Sequence, residues 1–145
     1  MMRATSRWLA GIGAACLAIA STGCEAPPDA AVLKCSARNV AEVAVKKDCT
    51  VGIREFDHHA SATVKIDTRR RLGFVRGQFT VQQGSVRVAL RGSTDAGSTV
   101  VVSPDAPATL EGSVRLSHRD RAFVLTFDPE GQAAGLAGEV SFEAR

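Results

Sequence analysis

The side chains with the greatest chemical potential in this 145-residue chain are its three histidines. Two are adjacent, in Asp57-His58-His59, and the third is His118. Imidazoles beside a carboxylate are zinc-ligand chemistry, which needs three or four ligands converging on one point. On an extended strand, neighbouring side chains leave on opposite faces. His58 and His59 could therefore share a metal only if residues 57 to 60 form a turn. His118 belongs to a separate stretch beside another turn, so the reading is three solvated loop histidines, with a metal site on His58, His59 and His118 as an alternative.

The arginines offer a second chemistry. Arg69-Arg70-Arg71 reads as a solvated turn between two strands. A hairpin turning at Gln83-Gly84 would place Arg76 across from Arg91, with Arg87 on the same outer face. Like charges facing each other cost a few tenths of a kcal/mol. An anionic partner, such as lipid headgroups or an acidic polysaccharide, would relieve that repulsion, and simple screening by solvent is the other account. Asp95, Asp128 and Glu130 sit in loops whose spacing matches no calcium loop, and turn formation explains them better. There is no Gly-X-Ser-X-Gly elbow and no Ser-X-X-Lys. No Ser stands near a histidine in a distinctive pattern, so the expectation is a protein that is not an enzyme and needs no cofactor.

These side chains must be read without the leader. Arg3 and Arg7 precede an apolar run from Trp8 to Ala20. That run is too short for a membrane span, which takes about 20 residues, and it reads as a secretory signal over 1–23. Ser21-Thr22-Gly23-Cys24 resembles the lipobox of bacterial lipoproteins. The resemblance implies that Cys24 takes a lipid and becomes the new N-terminus, so that the protein meets the membrane through that lipid. Glu25 stands where an Asp would retain such a protein at the inner membrane, which points to the outer membrane, with the domain facing the periplasm or the cell surface.

Cysteine arithmetic agrees. Of the four cysteines, Cys16 leaves with the signal and Cys24 takes the lipid, leaving Cys35 and Cys49 to pair. Cutting after Ala20 instead would leave an odd number in an oxidising compartment. A Cys35–Cys49 bond would tie the leading segment of the domain to the strand near Val51. Glu25-Ala26-Pro27-Pro28-Asp29 then serves as a stiff tether. The organisation expected is signal 1–23, lipidated Cys and tether 24–34, and one domain over 35–145.

Losing the signal also changes the composition. Without Arg3 and Arg7, the 18 basic residues fall to 16 against 15 acidic ones, a net charge of +1. Nucleic-acid binding is not expected from such a balance. Both methionines and the only Trp go too, which removes copper-thioether chemistry. The aromatics that remain are six phenylalanines, Phe56, Phe74, Phe79, Phe123, Phe127 and Phe142, which read as core. With neither Trp nor Tyr, the mature chain lacks the amphipathic rings typical of binding hot spots.

The elements that carry these residues have a period of two. Ala62, Val64 and Ile66 alternate with polar residues, as do Val75, Gly77, Phe79 and Val81, then Val86, Val88 and Leu90, and later Leu110, Gly112, Val114 and Leu116. Turns at Gln83-Gly84 and at Arg119-Asp120 would each close a hairpin in phase, Phe79 facing Val88 in one and Val114 facing Leu125 in the other. Residues 36 to 47 suit a strand or a short helix. The fold expected is all-β, a small antiparallel β-sandwich or barrel of seven to nine strands. Its expected role is a non-catalytic binding or structural module of the cell envelope, with an unknown envelope protein or an anionic ligand as partner.

Overall fold

An apolar residue at every second position has one favourable use, an extended strand with one face turned to a core. The computed structural model describes residues 27–40 and 44–145; the signal segment and Cys24 lie outside the described residues. Nine strands occur among them: β1 (Val32–Val40), β2 (Ala44–Phe56), β3 (Ala60–Lys65), β4 (Leu72–Thr80), β5 (Val86–Leu90), β6 (Thr99–Val102), β7 (Ala108–Arg115), β8 (Ala122–Pro129) and β9 (Ala133–Ala144). Strand β1 starts inside the stretch expected to be tether. The segment that suited strand or helix is strand on both sides of residues 41–43, with Val40 opposite Ala44.

The strands form two antiparallel sheets, one ordered β1-β2-β9-β4-β7 and the other β3-β8-β5-β6. The pairings are nested. Strand β2 bonds β9, β3 bonds β8, β4 bonds β7, and β5 bonds β6. From residue 44 onward the chain is thus one long two-stranded ribbon, doubled back between β5 and β6. The ribbon is wrapped so that successive segments fall in alternate sheets. This is a jelly roll, with β1 added at the edge beside β2.

Both expected hairpins are corrected by this topology. Strand β4 bonds β7 and β9, and β5 bonds β6 and β8, so the chain at residues 81–85 crosses between sheets. It crosses again between β7 and β8. Phase alone does not separate a hairpin from a crossing between sheets. Strands that face each other across a core send alternate residues to the same interior, just as hairpin partners do. The inward residues were therefore right and their partners were not.

The core lies between the sheets. Phe56, Phe79, Phe123, Phe127 and Phe142 are buried in it. Phe79 of β4 meets Phe127 of β8 edge-on, with centroids 6.1 Å apart, and Phe123 stacks on Phe142 at 5.6 Å. Both contacts join one sheet to the other. Phe74 departs from the expectation. It lies on the outer face, half-buried, with the Arg145 guanidinium 4.9 Å from its ring centroid.

The rings occupy space that glycines leave open. Phe79 pairs in register with Gly138, and a β-carbon at Gly138 would run into its ring. A β-carbon at Gly73 would likewise run into the Phe142 ring, two positions along β9 from its partner Ala144. At the edge, Cys35 and Cys49 are directly opposite and joined by a disulfide. Closing a loop of this length contributes about 3 kcal/mol in the chain-entropy account. The bond pins β1, which bonds only β2 in its sheet.

This packing makes the glycines unequal. Gly138→Ala should destabilise the domain by about 1–3 kcal/mol, the usual range for overpacking. Gly52→Ala should be neutral or stabilising by up to about 1 kcal/mol, because its β-carbon would meet nothing closer than the Leu136 carbonyl oxygen at 3.6 Å. Urea denaturation of the two variants checks the order; equal stabilities would remove the packing account.

Candidate binding site

Strand alternation divides the polar residues of the five-stranded sheet from its core. On β2, Cys49, Val51 and Ile53 face inward and Asp48 and Thr50 outward. On β9, Val140 and Phe142 face inward, leaving Glu139 and Ser141 outside; on β4, Val75 and Phe79 face inward, leaving Arg76 and Gln78 outside. The register then aligns these outward residues into rows across the sheet. Ser36, Asp48, Ser141, Arg76 and Glu111 form one row, and Lys34, Thr50, Glu139, Gln78 and Thr109 the next.

An open groove of ≈ 640 Å³ lies over these rows, lined from β1, β2, β9 and β4. Its size falls within the range of about 300–1,000 Å³ common for ligand sites, but its lining is unusual. It presents the hydroxyls of Ser36, Thr50 and Ser141, the Gln78 amide, and the charges of Lys34, Asp48, Arg76 and Glu139. Arg76 is held at the rim by Glu111, Nη2 to Oε1 at 2.8 Å. Such a face offers many hydrogen-bond donors and acceptors on a rigid sheet and no aromatic platform. It suits a polar, hydroxylated or charged ligand.

The expected anion-binding trio is not brought together. Arg76 lies on the outer face of the five-stranded sheet, whereas Arg87 lies on the outer face of the four-stranded one and Arg91 in the turn that follows β5 of that sheet. The facing like charges are replaced by facing opposites: Arg76 pairs in register with Glu111, and Arg87 with Asp128. The error follows from the hairpin at Gln83-Gly84, which does not exist.

The histidines each have their own partners. His58 contacts Asp57 at 2.9 Å and Asp29 at 3.4 Å, His59 contacts Asp128 at 2.5 Å, and His118 contacts Arg71 at 2.8 Å. Among the described residues no group of three or more His, Cys, Asp or Glu side chains gathers as a metal site. Cys24 lies outside the described residues. The residues that sequence reasoning passed over are Thr50, Gln78, Glu139 and Ser141. Each is an ordinary outward position on its own strand, and only the pairing of β9 with both β2 and β4 collects them.

The Asp57 hydrogen bond, helped by the charges of Asp29 and Asp57, raises the proton affinity of His58 above its ordinary value of 6.5. The same bond lowers the Asp57 carboxyl below its ordinary 3.8. Folding thus favours protonated His58. Its contribution to stability is present below pH 6.5 and lost as the pH rises through the raised value. The Asp57 contribution is present above its unfolded value and lost as the pH falls through the lowered one. An NMR titration should show the His58 midpoint above that of an ordinary histidine, and Asp57→Asn should bring it down; an unmoved midpoint would show that the hydrogen bond is not maintained in solution.

No protein-family model matches the chain, and no curated protein is similar to it. Among solved structures, the chain is similar to a protein of Bacillus endospore appendages, described as disulfide-linked pili, at 15% identity and a TM-score of 0.39, over 85% of this chain and 95% of that one. It is also similar to a carbohydrate-binding module from Cellvibrio mixtus lichenase 5A, solved with cellotriose, at 15% identity and a TM-score of 0.30, over 77% and 86%. A third likeness is to the C-terminal module of LamC from Zobellia galactanivorans, at 7% identity and a TM-score of 0.28, over 79% and 91%. Likenesses of this size carry no argument about a ligand, and the all-β two-sheet architecture rests on the strand order of this chain itself.

Proposed function

We propose that this protein is a lipid-anchored, non-catalytic binding module of the bacterial cell envelope, which holds a polar ligand or envelope partner on its five-stranded sheet. The observation that carries the binding role is the groove over β1, β2, β9 and β4, where four strands present hydroxyl, amide and charged groups side by side. The absence of a catalytic role is supported by how the titratable groups are engaged. The histidines sit in separate pairwise contacts with Asp57, Asp128 and Arg71 and do not converge on one point.

The anchored state is supported by Ser21-Thr22-Gly23-Cys24 and fits the Cys35–Cys49 bond, which accounts for both cysteines of the domain. The tether also fits an anchor. The Pro28 carbonyl accepts a hydrogen bond from the Glu55 amide at 3.0 Å, and Asp29 reaches His58, so the chain enters the domain at the β2–β3 end. Glu25 favours the outer membrane as the destination.

In cells supplied with a labelled fatty acid, the wild-type protein should carry label and sediment with membranes, and Cys24→Ala should lose both. Mass spectrometry that found an unlipidated N-terminus at Ser21 would overturn the anchor. For the groove, a photocrosslinking residue at position 78 should capture an envelope component, whereas one at position 99, on the other sheet, should not. Equal capture from both faces would remove the groove from the proposal.

A further inference from the structure

The nested ribbon gathers arginines at one end of the sandwich that no single stretch of chain displays together. The β3–β4 loop supplies Arg69, Arg70 and Arg71, the β7–β8 loop supplies Arg119 and Arg121, and the end of β9 leads into Arg145. The backbone holds these segments together. The Ile66 amide donates to the Arg121 carbonyl at 2.8 Å, the Leu116 amide to the Arg71 carbonyl at 2.7 Å, and the Arg145 amide to the Leu72 carbonyl at 2.9 Å. The two loops contain only Asp67 and Asp120 as acids. Among the described residues, no ion pair joins these six arginines to a carboxylate.

Arg121 adds an independent sign. Its Nη1 is buried without a hydrogen-bond partner. A buried donor left unmade costs about 1–3 kcal/mol, more for a charged group, and such a group calls for an explanation. Arg121 also has φ of 49°, the one non-glycine residue in the left-handed region among those described. A left-handed backbone beside a guanidinium nitrogen left without an acceptor is an arrangement found where structure serves a ligand. The acceptors that complete a guanidinium are the oxygens of phosphate or carboxylate.

The opposite end differs in sign. It carries Asp57 and Glu130 in its loops and Asp128 near the end of β8, and there the tether is bound through Glu55 and His58. Strand β2 runs between the ends for 13 residues, roughly 40 Å at the usual rise. Under the anchor proposed above, the acidic end is the one beside the membrane and the arginines are at the far end.

We infer that the arginine-rich end is an oxyanion site for an acidic polysaccharide of the envelope, with Arg121 as its inner contact and Arg69, Arg70 and Arg119 as its rim. The choice of polymer over lipid rests on the anchored orientation proposed above; the oxyanion site does not.

The test uses the mature protein with Cys24→Ser. Polygalacturonate serves as the carboxylate polymer, a phosphomannan as the phosphate polymer, dextran as the neutral control, and phosphatidylglycerol vesicles as the lipid arm. At low salt the protein should bind one or both acidic polymers, weaken as salt rises, and ignore dextran. Combined Arg69→Glu, Arg70→Glu and Arg119→Glu should reduce affinity at least tenfold, and Arg87→Glu on the four-stranded sheet should leave it unchanged. Arg121→Gly separates a ligand role from a structural one. Glycine accepts the left-handed backbone, so thermal stability should hold or rise while affinity falls several-fold. Binding to neither polymer, affinity untouched by the triple reversal, or tighter binding to the vesicles than to the polymers would each overturn the inference.

Discussion

The pairing of β2 with β9 is the contact on which the rest of this domain depends. It joins the two ends of the ribbon, and β9 then bonds β4 on its other side. Without it, the five-stranded sheet divides between β2 and β9 and the ribbon is left open at its ends. The contact also brings together residues almost a hundred positions apart, which makes it expensive in loop-closure entropy and late to be rewarded. Its stability comes from what lies beneath it: Val51, Ile53, Leu136, Val140 and Phe142 are all buried against the other sheet.

The same pairing organises the outside. Because β9 sits between β2 and β4, the hydroxyl of Ser141 falls between Asp48 and Arg76, and Glu139 falls between Thr50 and Gln78. A polar groove results, with its charges of both signs interspersed rather than gathered in a single-sign patch. The ends of the sandwich do the reverse. Loops from alternate turns of the ribbon cluster there, and the signs separate, acidic beside the tether and basic at the far end. Sheet faces and loop ends thus present two different kinds of chemistry, one hydrogen-bonding and mixed, the other a concentration of guanidinium groups.

The all-β class and the inward residues were legible because a period-two pattern has one physical solution. The Cys35–Cys49 pair was legible because, with Cys24 assigned to the lipid and Cys16 to the signal, two cysteines remained. Phe74 shows where such reasoning stops. It is apolar, yet it sits on an outward position, and its cover is Arg145 from a strand that only tertiary pairing brings alongside. The histidines show the same limit: Asp57-His58-His59 looks like a cluster in sequence, yet His59 turns to Asp128, a residue of another strand.

The sequence alone determined which side of most strands meets the core, that the domain would be all-β, and which cysteines were left to bond. The tertiary structure decided which strand lies beside which. Alternation encodes the face of a residue and says nothing about its neighbour across the ladder, since a hairpin and a crossing between sheets demand the same phase. For that reason Arg76 was set opposite Arg91 by local pattern and opposite Glu111 by the fold. The row of Ser36, Asp48, Ser141 and Arg76, and the meeting of Arg71, Arg121 and Arg145 at one end, exist only in three dimensions.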